Sequence, residues 1–276
     1  GDGGAIKIYQ STVTLDGCTI SNNHSNGEGG GILGRSASTI SILNSAISNN
    51  TSNSQGAAIY MDGGTLSLKN VLINGNQSSS TGNGVFRLQN SDATIDNMTM
   101  VNNVNSYQPP GSIMNLYSGS SAVIRNSIIT NNQPNKITFS DLYETNSLSA
   151  YYSNIAGGQD SISTNNNGTV TWGSGNIDID NPMFVDTTNG NYHLLASSQL
   201  INAGHPDSTD SDGTRADIGV YPYLNTYSGP TWYISAAEGN DTTATGASTA
   251  PFKSIQSAIN FATTNGDSVT VAAGTY

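Results

Sequence analysis

Charge is scarce in this chain. Only 10% of its 276 residues are Asp, Glu, Lys or Arg, and just eight of these are basic, giving a formal net charge of −11. No basic cluster exists, which excludes nucleic acid and anionic membrane surfaces as partners. One cysteine, Cys18, excludes a disulfide within the chain. Aromatics make up 7%, and no run approaches the roughly 18 apolar residues that a membrane-spanning helix needs. No leader is visible, and residue 1 falls inside a repeat, so the start is expected to have been removed or to lie outside this sequence.

What the chain has instead is Gly, Ser, Thr and Asn, arranged in register. Low charge with much glycine suggests disorder, but a strict repeat overrules that composition. Five segments align without gaps: VTLDGCTISNN (13–23), ISILNSAISNN (40–50), LSLKNVLINGN (66–76), ATIDNMTMVNN (93–103) and AVIRNSIITNN (122–132). Each ends on asparagine, at Asn23, Asn50, Asn76, Asn103 and Asn132, in steps of 27, 26, 27 and 29 residues. A second set runs in step with the first: GGAI (3–6), GGGI (29–32), GAAI (56–59), GNGV (82–85) and PGSI (110–113). It places Ile6, Ile32, Ile59, Val85 and Ile113 in one apolar column.

Alternation with period two means strands. Three short strands in ~27 residues are too few for a propeller blade of about 40, and fit one coil of a β-solenoid. The fold class is therefore all-β, a right-handed parallel β-helix of three-strand coils with one C-terminal capping α-helix. Coils roughly 4.8 Å apart give five of them a length on the order of 24 Å.

The asparagine columns divide by job. Two columns accept only Gly or Asn: Gly17, Asn44, Asn70, Asn97, Asn126, and Asn22, Asn49, Gly75, Asn102, Asn131. Such columns call for a backbone at positive φ. The column that ends each repeat accepts Asn alone, so there the amide itself matters. It can donate and accept between coils as a structural ladder.

Beyond residue 132 the pattern loosens. Residues 133–158 read as an irregular further coil with Ile137, Phe139, Leu142 and Ile155 as core candidates. The repeats and a closing coil occupy 1–223, a linker 224–230, and a new segment 231–276. In that segment Phe252, Ile255, Ile259 and Ala262 share one helical spacing, with Ser248 or Thr249 ahead of Pro251 as the start and Gly266 as the stop. SVTVAAGTY follows as a strand, with Val269 and Val271 alternating. These six residues are the candidate capping and assembly set, covering apolar side chains and free strand edges at a solenoid end.

These motifs carry a resemblance. The paired GGAI and xxNN tetrapeptides resemble those of polymorphic outer-membrane adhesins, and 1–223 looks like the β-helix repeats of secreted bacterial and pectate-lyase-like proteins. NPMFVD, NYHLLASSQLINAG and DGTRADIGVYPY resemble a closing coil, and WYIS, GND, APFKSIQSAI and GDSVTVAAGTY an opening one. A closing motif precedes an opening motif, so two readings stand. Either the chain is a window on a tandem array, or 231–276 covers the first coil of another copy, head to tail. The resemblance implies an extracellular or cell-surface module of a fibre, adhesin or filament, with copies of itself or adjacent β-helix domains as partners.

The alternative function is a carbohydrate-binding or polysaccharide-cleaving module. Lyases of this fold resemble one another in using a basic general base, but Lys69 and Arg125 share their outward column with Asp16, Leu43 and Asp96. Asp16 and Asp96, three coils and so on the order of 14 Å apart, exceed the reach of paired carboxylates in a glycosidase. No catalytic constellation emerges. Tyr9, Tyr60 and Tyr117 follow the GGAI strands and offer either a carbohydrate-facing row or stacking residues. No cofactor is required. The turn DSTDSDGTRAD, with Asp207, Asp210, Asp212 and Asp217, has the hard oxygen donors that suit Ca²⁺; the plain alternative is a solvated acidic turn.

Overall fold

Alternating apolar and polar residues, broken every few positions by left-handed Asn or Gly, make the chain turn repeatedly and stack on itself. A computed structural model describes residues 1–79, 83–107, 111–140 and 144–276. It is nearly all β, a parallel solenoid of about five turns with a single helix near the C-terminus. Leu142, Gly82 and Pro110 lie outside the described residues. Among the described residues no helix is long and apolar enough to cross a membrane.

Two compact units result, Gly1–Asp180 and Asn181–Tyr276. The second unit runs across the motif boundaries read from the sequence at 223 and 231.

In the first unit, the strands Ile6–Tyr9, Thr12–Asp16 and Thr19–Ser21 of the opening coil pair in parallel with one continuous run, Ile32–Ser48, of the next. That run pairs with Ile59–Asn74, which pairs with Asn83–Val101. Register turns sequence columns into interior rows. Leu15, Ile42, Leu68, Ile95 and Ile124 stack in one row, and Ile20, Ile47, Ile73, Met100 and Ile129 in another. These residues form a single core.

One alignment changes. Ile59 pairs with Phe86, and Phe86 with Met114, so the row continues through Phe86 and Met114 rather than Val85 and Ile113. A gapless alignment counts residues, whereas the register slips where Ser112 gives way to Met114.

Every residue of the two Asn/Gly columns has positive φ, from 46° at Asn44 to 65° at Gly75. They turn the chain at the corners. The column that ends each repeat points inward, and its bonds have a direction. Asn23, Asn50, Asn76 and Asn103 each donate both backbone N–H and side-chain Nδ2 to the Oδ1 of the next, at 2.9–3.0 Å. From Asn50 onward each Nδ2 also reaches back to a carbonyl of the preceding coil, at Ile20, Ile47, Ile73 and Met100. Asn50, Asn76 and Asn103 are fully buried, so the ladder satisfies polar groups at corners where the sheet pairing is interrupted.

Candidate functional site

The second unit is built on a parallel pair, Thr231–Ile234 with Ser268–Val271, joined through the helix Ile255–Phe261. Ser254 caps the helix, its hydroxyl accepting from the Ser257 N–H. Asp241 fixes the approach: its Oδ1 accepts from the backbone N–H groups of Lys253 and Ser254 and from the Ser257 hydroxyl. The helix therefore starts six or seven residues later than the sequence pattern suggests.

Its buried face also differs. Ser257, Ala258 and Phe261 face inward, while Ile255 and Ile259 are exposed and Ala262 is half-buried. Phe252 precedes the helix and is wholly buried. It stacks on Phe261 at 5.1 Å between ring centroids, and Trp232 lies 5.7 Å from Phe261. With seven residues, the helix has too few turns for the i, i+3, i+7 spacing to govern, and the bulk of Phe261 selects the inward face.

Tyr223, Asn225 and Asn260 draw the closing and opening motifs into this one unit. The Tyr223 ring lies 5.5 Å from Phe261 and its hydroxyl donates to Ala244 O. Asn225 donates to Thr245 O, and Asn260 to Ala196 O and Ser198 O.

The strand Ser268–Val271 has a partner on one edge only among the described residues. Val269 is in register with Trp232 and Val271 with Ile234. Trp232 and Ile234 are 3% and 2% exposed, whereas Val269 and Val271 are 39% and 45% exposed. An inward row of a solenoid thus ends bare.

The first unit has a matching open end. Ile6, Val13 and Leu15 are half-buried, while their neighbours one coil on, Ile32, Ile40 and Ile42, are fully buried. Asn23 supplies donors to Asn50, but its own Oδ1 accepts no hydrogen bond among the described residues.

The acidic turn is organised by backbone. Asp217 is buried, and its two carboxylate oxygens accept from the Asn202 and Tyr223 N–H groups, each at 2.7 Å. Asp210 Oδ2 accepts from the Asp217 N–H, and Asp212 from Asn225 N–H and from the Thr214 N–H and hydroxyl. Asp207 is exposed, with His205 Nδ1 4.0 Å away. Three of the four aspartates therefore come together, with carboxylate oxygens committed to N–H groups. Among the described residues no three His, Cys, Asp or Glu side chains are arranged to hold a metal ion.

Burial pushes the Asp217 carboxyl up to about 7 and Asp210 to about 6. Burial also acts to raise Asp212, but bonds from Asn225 and Thr214 outweigh it and hold Asp212 below the usual carboxylate range. The sign follows. Folded Asp217 and Asp210 bind protons more tightly than the unfolded chain, so their contribution is full below about pH 4 and is lost as pH rises through 6 and 7. The expected result is a higher melting temperature of the second unit at pH 5 than at pH 8, read from Trp232 fluorescence in a Trp172→Phe background. An Asp217→Asn variant should melt lower and with a shallower pH dependence. A wild-type melting temperature that rises between pH 5 and pH 8 would refute this reading.

The tyrosines do not form one row. Tyr9 and Tyr117 share a column with Arg35, Asp62 and Gln89, whereas Tyr60 lies in the adjacent column between Leu33 and Arg87. Tyr60 and Arg87 are buried. Arg87 lies over both Tyr60 and Tyr117 and donates to Asn115 Oδ1 and Gln89 Oε1. Burial raises the Tyr60 hydroxyl to about 12 and lowers Arg87. Next to them Arg35 bonds Glu28 and lies 3.6 Å from Asp2 and 3.8 Å from Asp62. The repeat alignment does not reveal this network, because its columns hold a different residue in every coil.

Lys69, Asp96 and Arg125 are stacked in register on another face, without an ion pair at 4.0 Å or less between them among the described residues.

A family profile described as a protein of unknown function (DUF1565) matches residues 237–276, the stretch that holds the helix and the open strand. No curated protein and no solved structure matches the chain.

Proposed function

We propose that this chain is a structural, extracellular β-solenoid module of a surface fibre, adhesin or self-assembling filament, joined end to end through 231–276. The carrying observation is the bare inward row at Val269 and Val271, on a strand with one unpaired edge. A parallel edge bearing apolar inward residues is a template for one more coil. The first coil of the Gly1–Asp180 unit supplies the other half of such a joint: a free edge at Ile6–Tyr9, an inward row that is only half covered, and an open amide acceptor at Asn23. Contact between two unlike surfaces propagates as a filament rather than closing as a dimer. A tandem array uses the same surfaces, with the following coil supplied by a neighbouring β-helix domain.

Sedimentation velocity tests the joint. The wild-type chain should show a weight-average sedimentation coefficient that climbs with concentration. A Val269→Lys, Val271→Lys double variant should sediment as a monomer at every concentration, because two ammonium groups cannot enter an apolar row unpaired. A wild type that stays monomeric at high concentration would exclude self-assembly.

A further inference from the structure

The first unit carries a concavity at the corner between its first two strand columns, away from the joining ends. Four successive coils line it: Gln10 from the first, Ser36 and Ala37 from the second, Asp62, Gly63, Gly64 and Thr65 from the third, and Asn90 and Asp92 from the fourth. Three coil spacings make it about 14 Å long.

Its floor is held open by backbone. Gln10, Ser36, Ala37 and Asn90 have φ of 47°, 58°, 60° and 45°. For Ala37 that conformation is strained. The register between the second and third coils slips between Arg35 and Ser38, so the second coil carries an extra residue here. At Gly64, with φ of 115°, an added Cβ would lie 2.1 Å from Ser38 O. Small residues and a bulge together leave a hollow where a regular corner would be filled.

The walls are polar and partly fixed. Asp62 accepts from Gln89 Nε2 and faces Arg35 Nε, so its carboxylate is held in place. Asp92 accepts from the Ser121 hydroxyl. Carboxylates accept pairs of hydroxyls, while the Gln10 and Asn90 amides both donate and accept. Tyr9, next to Gln10 in the chain, is 57% exposed and presents a ring beside the hollow. No cation lines it, and Arg35 is engaged by Glu28, Asp2 and Asp62.

We infer that this corner is a binding site for an uncharged or amino-bearing pyranose chain. Sugar hydroxyls would bond Asp62, Asp92, Asn90 and Gln10, and one ring face would lie on Tyr9. A uronate is excluded by its charge, since two carboxylates line the hollow and the chain's formal net charge is −11.

Titration calorimetry of the whole chain with cellohexaose, chitosan hexamer and oligogalacturonate tests this. Cellohexaose or chitosan hexamer should bind, and oligogalacturonate should not. Asp92→Ala and Asn90→Gly should each weaken binding at least tenfold. Asn90→Gly keeps the left-handed backbone, and circular dichroism confirms the fold of both. Tyr9→Ala should weaken binding about threefold. No binding of cellohexaose or chitosan hexamer, tightest binding of oligogalacturonate, or binding unchanged in folded Asp92→Ala and Asn90→Gly would overturn the assignment. Self-association by sedimentation is read separately and does not depend on the outcome.

Discussion

Replacing Asn76 with alanine is expected to destabilise the Gly1–Asp180 unit by about 4 kcal/mol, on the basis of 1–3 kcal/mol for each buried polar group left unpaired. Asn76 is fully buried and its amide serves two neighbouring coils at once. Its Oδ1 accepts from the Asn50 N–H and Nδ2, and its Nδ2 donates to Ile47 O and Asn103 Oδ1. Alanine keeps the backbone and leaves these groups facing one another with no water. A unit of this size loses roughly 2–4 °C per kcal/mol, so the melting temperature should drop on the order of 10 °C. Asn70→Gly is the control. Asn70 has φ of 56° and a solvent-accessible amide, so glycine keeps the conformation it needs and the change should stay within about 0.5 kcal/mol. Equal losses in the two variants would mean that the ladder amides contribute nothing beyond backbone shape.

Phe252→Ala should cost the Asn181–Tyr276 unit about 3–5 kcal/mol, the usual range for emptying a buried phenylalanine site. Phe252 is fully buried, stacks on Phe261 and Trp232, and its backbone bonds Tyr233 O and receives the Ser235 N–H. Its loss removes the central ring of the cluster against which the helix packs. The readout is the denaturant midpoint of Trp232 fluorescence in a Trp172→Phe background. Ile259→Ala, on the exposed side of the same helix, should shift that midpoint little. A larger loss at Ile259 than at Phe252 would return the helix to the face read from its sequence spacing.

Much of the first unit was legible in the sequence because each coil repeats one decision at one position. A column restricted to Gly and Asn reports a backbone angle directly, and all ten such positions have it. A column of asparagine alone reports a side-chain requirement, met by the bonds from Asn23 to Asn132. Where coils differ in length the same method slips by one, as at Val85 and Phe86. The helix misled for a different reason: Phe261 fits both a helical face and a loop, and only its packing on Trp232 and Phe252 shows which side turns inward. The corner hollow was illegible because it is made by small residues, a bulge and side chains from four coils that share no column.

End-to-end joining is tested most directly by hydrogen–deuterium exchange of the amides in Ser268–Val271, measured at low and at high protein concentration. At low concentration these amides should exchange quickly wherever they face the unpaired edge. At high concentration they should be protected together with amides of Ile6–Tyr9, and Val271→Lys should abolish the protection at both ends. Exchange that is independent of concentration, or protection at Ser268–Val271 with none at Ile6–Tyr9, would contradict joining of one copy to the next through these two edges.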